Sequence, residues 1–233
     1  LSCVAQLNAE GTSGVLIIEP GKTVVVNDVL TATGATCKVT AVTPVTIAPG
    51  GRYQAVVHNF FGGVGSRAAY VASGVQRAFE LRESGWVIPI HAVDDVAQDK
   101  PHLAEVHADH LFLAFPGGQY QHSGPSNPMT WSGLLGAEAF AVGDEITGLK
   151  STAGGVLLVT CRNKILGLYG ASSTDWAQKV LSEAIGIQID TLQNTFVPVG
   201  LSDRGLVRID RVQEFGDFAL NLLEQTKLFA PIS

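Results

Sequence analysis

Three groups of residues have types and spacings that chemistry could use. Gly63-Val64-Gly65-Ser66-Arg67-Ala68 has the G-x-G-x-x-A spacing of a dinucleotide-binding turn, in which glycines let the backbone approach a pyrophosphate at a helix N-terminus. The apolar run Ala55-Val56-Val57 precedes it. Arg67–Leu81 can be read as its helix, Trp86-Val87-Ile88-Pro89-Ile90 as the next strand and Asp94-Asp95 as the ribose-binding acid. Three details oppose this NAD(P) reading. His58-Asn59-Phe60-Phe61 separates the strand from the glycines, Gly74 falls inside the helix, and Asp94 lies about 30 residues on where about 20 is expected. No further βαβ alternation follows, and a glycine-rich β-turn accounts for the same residues.

The second group is His102, His107 and His110 with Glu105 and Asp109. These are metal-ligand types, but two histidines three apart on a strand point to opposite faces. Leu111–Phe115 follows at once, so Asp109-His110 reads as the start of a strand and the group as a polar hairpin edge. The third group is the carboxylate pairs Asp94-Asp95 and Asp144-Glu145. General acid–base work needs two groups facing one cleft; neighbours on a strand diverge, and both pairs read as solvated loops. No G-x-S-x-G, P-loop or Cys-His dyad is present. Cys3, Cys37 and Cys161 lack C-x-x-C spacing and read as small buried thiols of a reducing compartment. The expectation is a protein that is not an enzyme, with no catalytic, cofactor-binding or metal residues and no cofactor.

Composition narrows the classes further. Of 233 residues, 46% are hydrophobic and only 15% charged, against about 25% charged in an average domain. A disordered chain is excluded, as is a disulfide-stapled mini-protein. Fifteen basic against 21 acidic residues give a net charge of −6, so a basic nucleic-acid footprint is absent. The longest apolar runs, Val15–Ile18 and Val156–Val159, are strand-sized, far short of the roughly 20 residues of a membrane helix. The start Leu1-Ser2-Cys3 has neither Met nor a signal-peptide pattern, which reads as a processed chain or a piece of a longer one.

The elements that would position these residues are strands. Up to Gly51, short β-branched runs (Val15–Ile18, Thr23–Val26, Thr36–Val42) are cut by Pro20-Gly21 and Asn27-Asp28, and Pro49-Gly50-Gly51 closes a small β-domain, residues 1–51. From residue 52 to 233 a unit recurs, made of an apolar strand, a polar or glycine turn and a second strand. Its copies are Leu111–Phe115 with Tyr120–Ser123, Val156–Thr160 with Ile165–Tyr169, and Phe196–Gly200 with Leu206–Ile209. They start about 45 and 40 residues apart, and a weaker copy at Ala69–Ala72, turning at Ser73-Gly74, precedes them by about 42. That is the spacing of a four-stranded propeller blade, so the fold class is mainly β, a β-propeller type with a small β-domain at its N-terminal end. Trp86, Trp131 and Trp176 recur about 45 residues apart, a spacing suited to packing between blades. Arg204, in the turn Ser202-Asp203-Arg204-Gly205, is a candidate lumen or interface residue. Phe218–Gln225 has helical spacing and is expected to be the one real helix.

In order along the chain, these motifs resemble the tail nozzle proteins of tailed bacteriophages. The resemblance runs through Arg52-Tyr53, His58–Gly62, Tyr70, Gly74–Glu80, His110–Ala114, Gln121–Ser123 and Pro128–Trp131. It continues through Gly143–Leu149, Arg162–Ile165, Leu168–Gly170, Leu201–Leu206 and Phe215–Phe218. Gly34–Val42 resembles the extra domain inserted into such proteins, so the likeness covers about Gly34 to Phe218. It implies a virion structural protein, made in the bacterial host cytoplasm. As a β-propeller it would form a ring, a hexamer in related tails, at the distal end of a short tail. That ring extends the DNA channel, holds it shut until infection and contacts adaptor and fibre proteins. Family members are usually much longer, with more blades. The resemblance brings no catalytic residues. An acidic conduit suits DNA that must pass without sticking. The alternatives are a propeller module that binds a host glycan or protein receptor and, on Gly63–Ala68, a nucleotide-dependent oxidoreductase.

Overall fold

Short β-branched and apolar runs, each bounded by turn residues, fold into antiparallel ribbons throughout. A computed structural model describes residues 3–7, 14–18, 22–32, 35–42, 44–194, 197–211 and 218–222. Two hairpins come first. β1 (Cys3–Leu7) pairs with β2 (Gly14–Ile18), and β3 (Val29–Ala32) with β4 (Ala35–Lys38).

Four sheets of four consecutive strands follow. The first holds β5 (Gln54–His58), β6 (Ala68–Ala72), β7 (Phe79–Arg82) and β8 (Val87–Pro89). The second holds β9 (Leu103–His107), β10 (His110–Phe115), β11 (Gln119–His122) and β12 (Glu138–Ala141). The third holds β13 (Ile146–Ser151), β14 (Leu157–Cys161), β15 (Ile165–Tyr169) and β16 (Ala177–Ser182). The fourth holds β17 (Gln193–Asn194), β18 (Pro198–Ser202), β19 (Gly205–Arg211) and β20 (Phe218–Leu222). Each is an antiparallel meander with its first strand on one edge and its last on the other, the blade of a propeller.

The repeating unit of the sequence is the middle hairpin of each blade: β6–β7, β10–β11, β14–β15 and β18–β19. Phe196 lies outside the described residues, as do Phe215-Gly216-Asp217. Among the described residues the only helical turn is a 3₁₀ turn, Gly133–Leu135. The helix expected over Phe218–Gln225 is instead strand over Phe218–Leu222, paired from Arg211↔Phe218 to Val207↔Leu222. Its alternating Phe218, Leu220 and Leu222 satisfy period 2 as well as a helical spacing, and the free edge of β19 decides between them. Residues 223–225 lie outside the described set.

A blade has two faces and can bury neither alone, so each packs on the next. Residues of β10 alternate between the two joints. Leu111, Leu113 and Phe115 join Tyr70, Ala72 and Ala104 in the core between blades one and two. Phe112 and Ala114 join Leu149, Leu157 and Leu168 between blades two and three. Leu158 and Ile165 meet Ile187, Val207 and Ile209 between blades three and four. The first strands stand side by side, β5 against β9 and β9 against β13; no comparable packing joins β17–β20 to β5–β8 among the described residues.

The loop linking blades one and two is pinned by an ion pair. Arg77 Nε lies 2.8 Å from Asp99 Oδ2, and the Asp99 side chain is wholly inaccessible. Burial pushes the Asp99 carboxyl up to about 6, against the opposing pull of Arg77. Because that value is raised above the ordinary 3.8, ionised Asp99 weakens folding at neutral pH and the penalty fades as pH falls through 6. Arg77→Met, which leaves the carboxylate unpaired, is expected to cost about 3 kcal/mol at pH 8 and clearly less at pH 5. Urea unfolding at the two pH values checks it; an equal loss at both would show that the pair does not govern the loop.

Candidate functional site

The first strands of blades one to three stand side by side, and the approach to β17 meets them around one cavity. There Gln54 (β5), Ala104 (β9), Thr147 and Lys150 (β13), and Asp190 and Gln193 from the approach to β17 and its start line a cavity of about 220 Å³. Its polar wall is mostly paired internally. Lys150 Nζ reaches Glu105 Oε2 at 3.0 Å. Asp190 accepts from Gln54 Nε2 at 2.6 Å and pairs with Arg52 at 2.5 Å. The Thr147 and Thr160 hydroxyls are 3.2 Å apart. Such a wall offers a small polar ligand hydrogen bonds but holds no nucleophile beside a base.

A second surface lies on blade one, on the face away from blade two. Register places Val57, Ala69, Leu81 and Val87 directly opposite one another across β5–β8, an apolar row crossing the whole blade. Val57 is 50% and Leu81 39% exposed. Blades two and three are packed on both faces; among the described residues no blade lies over this row. The N-terminal segment adds Val25, Val26, Val29, Val42, Val45 and Ile47, all exposed. It touches blade one where the Ala48 amide donates to Gln76 Oε1 and the Tyr53 hydroxyl to the Ala48 carbonyl.

The residues singled out in the sequence fall as follows. Gly63–Ser66 is the exposed β5–β6 connection, closed by Ser66 N donating to the Gly63 carbonyl and by Ser66 Oγ and Asn59. The stretch read as a helix, Arg67–Leu81, is β6, a turn and most of β7. No helix N-terminus faces those glycines, so the dinucleotide geometry is absent; antiparallel pairing with β5 on one side and β8 on the other leaves this segment strand.

His102, His107 and His110 do not form a ligand set, but neither do they make a polar edge. His102 Nε2 donates to the Ile146 carbonyl of blade three at 2.8 Å. His107 and His110 are buried and directly opposed, because Ala108 and Asp109, with φ of 45° and 61°, make a two-residue hairpin turn between them. The expectation that they diverge on one strand is overturned by that turn. Asp109 instead pairs with His58 of blade one at 3.1 Å. Among the described residues no group of three His, Cys, Asp or Glu side chains could hold a metal ion.

Asp95, Asp144 and Glu145 hold turns. Asp95 Oδ1 accepts from the Ala97 amide, while Asp144 accepts from the Asn163 amide at 2.8 Å and Glu145 approaches Arg162. Arg204 sits exposed in the β18–β19 turn. Trp86, Trp131 and Trp176 occupy the same place in successive blades, the link from third to fourth strand. Trp131 packs at the first joint and Trp176 at the second. Cys161 is buried, and burial, with Asp144 nearby, pushes its thiol up to about 12; Cys37 is exposed. The side chain of Cys3 is outside the described set. Sequence reasoning missed the pair Arg77–Asp99 and gave His122 no role of its own; only the β10–β11 register, which sets His122 opposite Phe112, could have placed it beside His110. Among the described residues no helix is long and apolar enough to cross a membrane.

Fold and surfaces together define a β-protein of propeller-type, four-stranded blades with an internally paired polar axis. No family model matches the chain, and no curated protein aligns with it. Among solved structures it is similar to the N-terminal domain of BBS1 crystallised in complex with ARL6DN, at 14% identity and a TM-score of 0.39. The match covers 92% of this chain and 60% of that one.

Lys150→Met should leave Glu105, 11% exposed, without its cation. The expected loss is about 1–2 kcal/mol by urea unfolding, most of it recovered in Lys150→Met/Glu105→Leu. A neutral single variant would show that solvent already screens the pair.

Proposed function

We propose that the protein is a structural component of a bacteriophage tail, a nozzle ring that extends and closes the DNA ejection channel and links to adaptor and fibre proteins. The observation that carries this reading is the uncovered apolar row Val57–Ala69–Leu81–Val87 on a blade whose other face is a packed joint. A second copy of the chain is its occupant. The ordered motifs from Arg52 to Phe218 support the reading, as does the shortage of charged side chains, since ring contacts cover surface that a monomer would solvate. The net charge of −6 lets DNA pass without being gripped. The protein accordingly resides in the virion and works without catalysis.

Light scattering and negative-stain images of the purified chain test this. The expected result is a ring of several copies around a pore. Val57→Asp and Leu81→Asp should give a smaller species with an unchanged far-ultraviolet spectrum. A wild-type monomer, or rings indifferent to both changes, would overturn it. The axial cavity favours a second reading, a binding module for a host glycan or protein receptor. Saturable glycan or receptor binding by a monomer, lost in Lys150→Ala, would decide for that one.

A further inference from the structure

We infer that the joint between blades two and three is an acid-sensitive seam, closed while His107 and His122 are neutral and loosened when their rings become charged. The inference goes beyond the structural role and holds for either reading of it.

Four rings meet there. His107 and His110 come from the ends of β9 and β10, His122 from the end of β11, and Trp176 reaches across from blade three. Ring centroids of His110 and His122 lie 4.9 and 4.7 Å from Trp176, and that of His107 lies 6.0 Å away. Phe112 fills the space between, 5.2 Å from Trp176 and 5.3 Å from His122. All three imidazoles are buried.

Hydrogen bonding engages the Nδ1 side of each ring. The Ser123 carbonyl lies 2.6 Å from His110 Nδ1 and 2.9 Å from His122 Nδ1. The two Nδ1 atoms also lie 3.2 Å from each other, so around that carbonyl the neutral rings share the roles of donor and acceptor. His107 Nδ1 is engaged with Ser151 Oγ of blade three at 2.9 Å. An imidazolium carries hydrogen on both nitrogens, so in charged His107 and His122 the Nε2 atoms are donors whichever tautomer the neutral rings hold. Both are buried and, among the described residues, have no hydrogen-bond partner. A new N–H⁺ would find rings where it needs an acceptor.

The surrounding ionisable groups do not supply one. Glu105, two residues before His107 on the same face, is taken by Lys150. Asp109 is turned to His58. Glu138, opposite His122 on β12, is exposed. Asp175, beside Trp176, accepts from the Ala171 and Ser172 amides. Tyr120 and Cys161 are held in their neutral forms by burial.

Burial lowers both His107 and His122 from the ordinary 6.5 to about 4, with His110 adding to the effect. The sign follows. The unfolded chain takes up protons near 6.5, the folded one only near 4, so stability present above 6.5 is lost as pH falls from there towards 4. Each histidine should lower the folding constant more than about tenfold between pH 7.5 and pH 5.

Urea unfolding of the intact chain, followed by tryptophan emission from pH 7.5 to 5, reads this directly. The wild-type midpoint should fall steeply, and His107→Gln/His122→Gln should flatten the fall. The same slope in the variant would overturn the inference. Should that variant not fold, imidazole proton resonances of the wild type decide. Two histidines that do not titrate above pH 5 in the folded protein support the seam, and titration of every histidine near 6.5 sinks it.

Discussion

Everything in this molecule depends on one constraint: a four-stranded antiparallel blade has two apolar faces and no means of covering either by itself. The strands answer it by alternation. In β10, every residue of the run Leu111–Phe115 is buried, yet odd and even positions serve different joints. A one-residue slip of β10 would exchange the two sets and spoil both joints at once. Register is held by short turns on either side, Ala108-Asp109 before the strand and Pro116-Gly117-Gly118 after it. Gly118 adopts a φ of +80°, and a Cβ there would collide with the Asp144 carbonyl of the approach to blade three. The same glycine thus closes a hairpin and lets two blades meet.

Polar ties at the joints follow from the same geometry. Strands end where blades come together at their rims, so the side chains just inside each turn are the ones that cross. His58 reaches Asp109 between blades one and two, His102 reaches the Ile146 carbonyl between two and three, and Asn194 reaches the Ser151 carbonyl between three and four. Ion pairs cluster in these places too: Arg77–Asp99 pins a linker, Lys150–Glu105 spans a joint, and Arg52–Asp190 ties the start of blade one to the approach to blade four. These bonds fix the angle at which apolar faces meet, which hydrophobic burial alone leaves loose.

Much of this was legible in the sequence, for a physical reason. Period-2 hydrophobicity and turn residues are local signals, and the middle hairpins of blades two and three carry both strongly because they are packed on two faces. The tryptophan spacing was legible too, since one position per blade repeats. What failed was either ambiguous locally or set by distance. Phe218–Leu222 fits two periodicities, and only the open edge of β19 chooses. Ala108-Asp109 carries none of the Asn-Gly or Asp-Gly signature of a tight hairpin turn, so His107 and His110 looked like neighbours on one strand. Arg77 and Asp99 are 22 residues apart in separate loops, with nothing in either loop to announce the pair. The axial residues Gln54, Lys150, Asp190 and Gln193 have no motif at all; stacking alone assembles them.

The shortage of charge has a location as well as a size. Among the charged residues that are present, several are spent on joints and linkers, where each partner needs the other. Few remain to decorate the flat outer faces, and the uncovered row of blade one contains none. A surface that solvates itself intersperses both signs of charge; this one instead continues, across β5–β8, the alternation that makes a joint wherever another blade is present. The stretch Val25–Val29 leading into β3 carries the same imbalance in a stronger form, with Val25, Val26 and Val29 exposed, and a two-stranded ribbon such as β3–β4 has too little partner surface to be stable alone. The same sequence rule therefore governs covered and uncovered faces alike, and the exposed row has the chemistry of a joint that has not met its other half.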